Sequence, residues 1–290
     1  MLNIFFLFLT FFGNLAANDW TIDSKKKGWS SADLVQTYFH NSELQRQWGW
    51  EAFAKLRLQG TEHVLDFGAG DGKLTAQIAR LVPEGSVVGV DLSDQMVCFA
   101  NKMFPFPNLL FVATQDALFS NMYFPEKFDL VTSFFTFHVI PDPVPTLQNI
   151  REHLQPNGTL LLCFTTGGNT EFFTAATQEM TERGWSIPPA TENCKKMRNP
   201  DLIPQLLEEA GFHIERYDVV PSRFPFSTRQ ELAAWFEGTL CANWNIPFEQ
   251  QKDFCEKLTS RYLELSPSDQ DEDGFVYFRL RRVDIIATRK

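Results

Sequence analysis

The chain of 290 residues has few cysteines and no pattern that would pair them. The five cysteines are widely separated, no Cys-X-X-Cys pair occurs, and no paired histidines stand close to them. Disulfide-stabilised domains need a dense, even-numbered set of cysteines, and zinc sites need closely spaced Cys and His ligands. The sequence therefore predicts neither a disulfide framework nor a metal site. Cys98 and Cys163 lie in apolar runs and are expected to be core residues.

Positive charge is also scarce. The chain has 26 Lys and Arg against 36 Asp and Glu, which gives a formal net charge of -10. Binding to the phosphates of nucleic acid requires clustered Lys and Arg, and the tight basic cluster at residues 25–27 is short, as a solvated patch would be. The composition therefore argues against a nucleic-acid partner.

A long apolar run is present at the N-terminus. Residues 2–17 (LNIFFLFLTFFGNLAA) are nearly all apolar and end in small residues. The run has the length of a signal-peptide core and is shorter than a full membrane span, although no Lys or Arg precedes it. We expect residues 1–17 to be a signal peptide or membrane anchor, with a buried N-terminal helix as the alternative. Export or membrane tethering is therefore favoured over a cytoplasmic location.

From residue 31 onward, helical patterns alternate with short apolar runs. Apolar residues at helical intervals predict one or two helices over 31–58. Strands are predicted at 63–67, 87–90, 109–112, 128–135, 159–164, 212–220 and 275–288, and further helices at 73–81, 144–154, 172–183 and 201–210. This alternation predicts an α/β fold with a parallel, doubly wound sheet. Residues 223–265 are predicted to be helical, and most of their aromatic side chains are expected to be core.

The segment 63–91 carries the strongest functional signal, because a glycine-rich turn, DFGAGDG, separates its first strand from its first helix. Glycines at the end of a strand let the backbone turn sharply and approach a ligand closely, and the following helix start offers unpaired amides. Such a turn suits a nucleotide-like cofactor at the carboxyl edge of a parallel sheet. The third glycine comes one residue too early for the dinucleotide fingerprint G-X-G-X-X-G, which disfavours a nicotinamide cofactor.

Two acidic residues after later strands fit the same cofactor. Asp91 ends the second strand about twenty residues past the turn, where a carboxylate can accept hydrogen bonds from both ribose hydroxyls. Asp116 follows the third strand, at a place where an acid can bind an adenine amino group, and a helix N-cap is the competing interpretation.

These motifs, together with FDLVTSFFTFHVIPD at 128–142 and LQPNGTLLL at 154–162, resemble the successive motifs of class I S-adenosylmethionine-dependent methyltransferases. Within that superfamily, YFHNSELQRQW at 38–48, TSFFTFHVI at 132–140 and FRLRRVDIIATRK at 278–290 are similar to the trans-aconitate and juvenile-hormone-acid methyltransferases. The resemblance implies one domain over 31–290. Its fold would be a Rossmann-like, seven-stranded, mostly parallel sheet with an antiparallel last strand, helices on both faces, and helical insertions at about 165–200 and 223–270.

The same resemblance implies which residues bind the cofactor and the acceptor. S-adenosylmethionine would be held by Asp66, Gly68, Ala69, Gly70, Gly72, Asp91, Leu92, Met96, Asp116, Ala117 and Ser133. The acceptor would be bound by Tyr38, Ser42, Gln45, Phe134 and His138. His138 is the candidate catalytic residue, with the role of positioning the acceptor, and a purely structural histidine is the alternative.

The activity implied is methyl transfer to a small-molecule acceptor by a monomeric enzyme. The resemblance to this subfamily implies a carboxylate oxygen as the favoured acceptor, and such an acceptor is already ionised near pH 7 and needs no general base. Arg198, Arg223 or Arg229 would supply its counter-charge. Two alternatives stay open: an S-adenosylmethionine-binding regulatory module without catalysis, and an NAD-dependent oxidoreductase.

Overall fold

The computed structural model of the protein describes residues 31–114, 124, 127–140, 142–185, 199–244 and 246–290. The expected signal peptide or anchor at 1–17 and the candidate residues Asp116, Ala117 and Arg198 lie outside the described residues. Within the described part, no helix is long and apolar enough to cross a bilayer.

Seven strands form one sheet, and helices flank it. The strands are β1 (His63–Phe67), β2 (Ser86–Asp91), β3 (Leu109–Ala113), β4 (Phe128–Phe134), β5 (Leu154–Thr166), β6 (Phe212–Phe226) and β7 (Val276–Arg289). The helices are α1 (Ala32–Asn41), α2 (Glu43–Phe53), α3 (Lys73–Leu81), α4 (Asp94–Met103), α5 (Pro143–His153), α6 (Thr170–Glu182), α7 (Ile203–Glu209), α8 (Arg229–Trp244) and α9 (Gln251–Leu265).

The sheet order, β3-β2-β1-β4-β5-β7-β6, confirms the predicted fold. The pairs from β3 through β5 are parallel, and β7 is inserted antiparallel between β5 and β6. Four of the five residues of β1 are buried, as expected of a strand covered on both faces. The chain leaves β1 toward β2 on one side and returns to β4 on the other. This reversal creates a crevice at the carboxyl ends of β1 and β4, where ligands of such sheets bind.

A helical layer beyond the carboxyl edge of the sheet is held together by aromatic side chains. α6, α8 and α9 pack there against β7 around a cluster that includes Phe172, Phe236, Phe254 and Phe278. The expectation that most aromatics of this region are core is confirmed, and Phe248, which is 58% exposed, is an exception.

Two expectations are wrong. The predicted helical region 223–265 begins with strand instead, because β6 continues to Phe226 in register with Val276 of β7. Pro221 and Pro225 do not end β6, since it is the outermost strand and an edge strand tolerates proline. Cys98 is exposed on α4 although Cys163 is buried, because a helix in this layer buries only one of its faces.

Candidate functional site

The glycine-rich loop 68–72 joins β1 to α3 at the carboxyl edge of the sheet. Gly68, Gly70 and Gly72 have φ values of 77°, 54° and 80°, in the left-handed region where a side chain is penalised. A Cβ on Gly68 would also collide with the side chain of Thr136, and one on Gly72 would lie 2.7 Å from Cζ of Phe111. The loop therefore lies close against the exit of β4, and its shape depends on glycine.

Asp66 anchors the base of this loop. Its carboxylate is 2% exposed and accepts hydrogen bonds from the hydroxyls of Thr75 at 2.6 Å and Thr132 at 2.8 Å. Burial raises the pKa of Asp66 to about 6, and the two hydroxyls act in the opposite direction. Asp66 therefore changes its charge close to neutral pH.

Asp91 joins the end of β2 to the loop. Its Oδ2 accepts the backbone N–H of Gly70 and its Oδ1 accepts the N–H of Ser93, both at 2.9 Å. Burial raises the pKa of Asp91, and the negative charge of Asp71 raises it further. Each carboxylate oxygen has a second lone pair, so the group can still accept hydrogen bonds from two hydroxyls of a ligand. Leu92, next to it, is 55% exposed and offers an apolar surface beside the carboxylate.

Helices α1 and α2 close over the loop through a small polar network. The ammonium group of Lys73 donates to the carbonyl of Phe39 and, at 3.0 Å, to the hydroxyl of Ser42, and it lies 4.1 Å above the Phe39 ring. The Ser42 hydroxyl donates to Asp71 at 2.7 Å. Burial, together with the nearby charges of Asp71 and Asp91, raises the pKa of Tyr38, which keeps its phenol neutral.

A cleft opens between the loop, α1, α2 and the end of β4. It is lined by Tyr38, Ser42, Gln45, Arg46, Asp66, Gly68, Ala69, Gly70, Asp71, Lys73, Leu74, Phe134 and Phe135. The indole N–H of Trp235 donates to Oε1 of Gln45 at 3.2 Å, and because an indole nitrogen is only a donor, this contact identifies the amide oxygen. The Gln45 NH₂ group is therefore the end left to meet a ligand.

Known proteins share both the motifs and the fold. A family model described as "Methyltransferase domain" matches residues 65–160, from the loop into β5. The juvenile hormone acid O-methyltransferase of Bombyx mori is 28% identical over 79% of this chain and 85% of its own. The trans-aconitate 2-methyltransferase of Deinococcus radiodurans is 35% identical over 33% of this chain and 35% of its own. Residues 65–160 therefore form a methyltransferase domain, and the chain is similar to the class I S-adenosylmethionine-dependent methyltransferases. The solved structure of YcgJ from Bacillus subtilis shares the fold, with a TM-score of 0.55 at 16% identity over 84% of this chain and 98% of that one.

Many of the sequence-predicted residues meet in the methyltransferase cleft. Those that line it are Tyr38, Ser42, Gln45, Asp66, Gly68, Ala69, Gly70 and Phe134. Asp91 and Leu92 stand beside the loop, Met96 is buried at the start of α4, and Gly72 packs under the loop.

Two further predicted residues, Ser133 and His138, are also absent from the described cleft lining. The Ser133 hydroxyl donates to the carbonyl of Phe67 at 2.8 Å and so joins β4 to β1. His138 lies half-buried on the 3-10 turn Phe137–Val139 after β4, and it is not among the described residues that line the cleft. Their cofactor and acceptor roles stay predictions.

Five cleft residues were not predicted: Arg46, Asp71, Lys73, Leu74 and Phe135. The position of Asp71 just before α3 was an available signal, because an aspartate side chain can accept the backbone N–H two residues farther along, as Asp71 does from Lys73 at 3.1 Å. Phe135 has a φ of 55°, which the sequence does not indicate. Its ring stacks on that of Trp48 with centroids 6.4 Å apart.

Proposed function

We propose that this methyltransferase transfers the methyl group of S-adenosylmethionine to a carboxylate oxygen of a small-molecule acceptor. The observation that carries the proposal is a cleft between the glycine loop and helices α1 and α2, which together we call the lid. The lid contributes Gln45 and Arg46 to the cleft. When bound, S-adenosylmethionine supplies an electrophilic methyl group on a positively charged sulfur. The protein has to hold the acceptor in line and exclude water.

The described residues fit this cofactor. Asp91 offers the lone pairs that two ribose hydroxyls need, and the exposed Leu92 beside it suits the flat face of an adenine ring. Asp66, at the base of the loop, is the carboxylate assigned to the methionine part. Asp116 and Ala117 complete the proposed cofactor site as the residues that would contact the edge of the adenine ring.

A carboxylate acceptor agrees with the state of the acids around the cleft. Asp66 is held by two hydroxyls, Asp71 by Ser42 and Lys73, and Asp91 by two backbone amides. Each of these carboxylates is therefore engaged within the protein, and an ionised acceptor needs no general base. Two relatives are named for methylating acids, juvenile hormone acid and trans-aconitate.

Transfer of a labelled methyl group to a panel of small carboxylic acids, with mass detection of the products, tests the proposal. A catalytic methyltransferase yields methyl esters. A regulatory module would bind S-adenosylhomocysteine and yield no product. An NAD-dependent oxidoreductase would be protected against heat by NAD and not by S-adenosylmethionine.

Replacing His138 with alanine is expected to lower kcat more than it lowers the affinity for S-adenosylhomocysteine. His138 follows β4, which carries Phe134 of the cleft, so its expected role is to position the acceptor. Steady-state kinetics and calorimetry on the same variant make the comparison. Loss of cofactor affinity with kcat preserved would remove His138 from the acceptor side.

The affinity for S-adenosylhomocysteine is expected to fall as the pH drops through about 6, where Asp66 takes up a proton. Only ionised Asp66 attracts the cationic amino group of the ligand, so affinity is full above this pKa and falls by about tenfold from pH 7 to pH 5. Titration calorimetry across this range measures the change. In Asp66→Asn the affinity should no longer change with pH over this range. A retained pH dependence would assign it to another acid such as Asp91.

We also propose that residues 1–17 direct export or tether the protein to a membrane. The support is the apolar run described above and its small-residue end. N-terminal sequencing of the mature protein tests the signal-peptide form, which requires a new N-terminus beyond the apolar run. Fractionation of cell membranes tests the anchor form, which requires an intact chain in the membrane fraction.

A further inference from the structure

Two cations are among the described residues that line the cleft, Lys73 and Arg46. An anionic acceptor needs at least one of them, because Asp66, Asp71 and Asp91 make the surroundings negative and would repel it. The two cations differ in what already engages them.

Lys73 is committed to the lid. Its ammonium group donates to Phe39 and Ser42 and stands 3.6 Å from the Asp71 carboxylate. Two of its three N–H donors are therefore used within the protein, and its charge is paired with that of Asp71. Lys73 holds α1 against the loop, and its positive charge is already offset.

Arg46 stands at the mouth of the cleft, with its side chain 34% exposed. Its guanidinium makes a two-pronged contact with Glu43, in which Nε donates to Oε2 at 2.8 Å and Nη2 donates to Oε1. This contact lowers the pKa of Glu43, which is therefore ionised at neutral pH. The Glu43 carboxylate is in the position relative to the guanidinium fork that an acceptor carboxylate would take.

Several features make this contact exchangeable. Glu43 is 59% exposed, and the two residues are three positions apart on one helix face. Exposed pairs of this kind are weak, because water screens them and both side chains lose conformational freedom. Of the three arginines predicted to supply the counter-charge, Arg198 lies outside the described residues and the other two contact other groups. Arg223 donates to the carbonyl of Ser268 at 2.7 Å and stacks on Tyr277, and Arg229 donates to Gln270.

We propose that Arg46 is the residue that selects carboxylate acceptors and that Glu43 is a built-in competitor for it. The inference rests on the proposed function and deepens it. An incoming carboxylate displaces Glu43 from the guanidinium. Gln45, the neighbour of Arg46 in the cleft wall, has its amide oxygen bound by Trp235, so its NH₂ group can donate to the same carboxylate. In the absence of an acceptor, Glu43 keeps Arg46 extended along the lid.

The pair gives two variants with opposite expected effects. Arg46→Gln should raise KM for carboxylate acceptors by about ten- to a hundredfold, the loss expected for a charge-assisted hydrogen bond, with a smaller change in kcat. Arg46→Lys should have a KM between those of Arg46→Gln and wild type, because lysine keeps the positive charge and loses the two-pronged guanidinium contact. Glu43→Gln should lower KM several-fold, since the competitor loses its charge.

The kinetics are measured on the full chain, and calorimetry gives the affinity of each variant for S-adenosylhomocysteine. Arg57→Gln is the control, because Arg57 is exposed and lies outside the described cleft lining. Support requires the opposite KM shifts with unchanged affinity for S-adenosylhomocysteine. If wild type esterifies a carboxylate and Arg46→Gln leaves its KM unchanged, the Arg46 inference alone fails. If Arg46→Gln weakens the binding of S-adenosylhomocysteine as much as it raises KM, Arg46 belongs to the cofactor site and the inference fails. If wild type methylates only neutral acceptors, the proposed function fails and the inference with it.

Discussion

Asp91→Ala is expected to weaken the binding of S-adenosylhomocysteine by about a hundredfold or more, because each hydrogen bond from a ribose hydroxyl to an ionised carboxylate contributes roughly 1.5–3 kcal/mol. The same carboxylate accepts the amides of Gly70 and Ser93, so its loss also removes the link between the loop and β2. The fold should survive, since Asp91 ends its strand and is only half-buried.

Titration calorimetry measures the affinity, and circular dichroism checks the fold. Asp94→Ala is the matched control, because Asp94 is an exposed acid three residues farther along, in the first turn of α4. It should leave the affinity within about twofold, as expected for a surface charge away from the ligand. Unchanged affinity in Asp91→Ala would contradict the assignment of the cofactor site.

Asp284→Ala is expected to lower the free energy of unfolding by about 3–5 kcal/mol, the usual cost of removing one partner from a buried ion pair. Asp284 is 1% exposed, and its two carboxylate oxygens face two cations. Lys55 lies 2.6 Å from Oδ2, and Nε of Arg282 lies 3.0 Å from Oδ1. Without the carboxylate, both cations would be left largely buried and short of negative charge.

Asp218→Ala supplies the control for this prediction. Asp218 contacts the same Lys55 at 2.8 Å, yet its side chain is 30% exposed. Its loss should cost about 1 kcal/mol or less, because water replaces an exposed partner. Urea denaturation of both variants gives the two free energies. Equal losses would mean that burial does not determine the strength of this network.

The network around Asp284 also bears on the site. Arg282 contacts Glu51 of α2 at 2.7 Å and lies 5.7 Å from the ring of Trp48 on the same helix. Lys55 follows α2 directly. These contacts hold α2 against β7, and α2 carries Gln45 and Arg46 of the cleft wall. The position of the lid therefore depends on a charge cluster in a distant part of the chain.

The first half of the domain was predictable from local sequence. Predicted strand 63–67 and helix 73–81 agree with β1 and α3 residue for residue. A continuous apolar run is typical of a strand covered on both faces, and three closely spaced glycines indicate a left-handed turn. Both signals act over a few residues, so no knowledge of distant partners was needed.

The second half was less predictable because its elements depend on distant partners. The segment 221–226 contains two prolines and gave no strand signal. It is nevertheless a strand, because the antiparallel β7 supplies its hydrogen-bond partners. Local sequence also does not indicate that Cys241 and Cys255 are close. Their sulfur atoms lie 3.4 Å apart in the buried contact between α8 and α9.

The sequence by itself determined the elements proposed to bind the cofactor: the glycine loop, the acid below it and Asp91 at the next strand end. Their conformations follow from backbone preferences over a few residues, and they share one short strand-loop-helix-strand unit. Only the tertiary structure decided which cations line the cleft. Lys55 and Asp284, which hold the lid in place, are 229 residues apart. Arg223 and Arg229 contact other groups, whereas Arg46 lies at the mouth of the cleft, because long-range packing determines which side chains meet there and local sequence patterns do not record it.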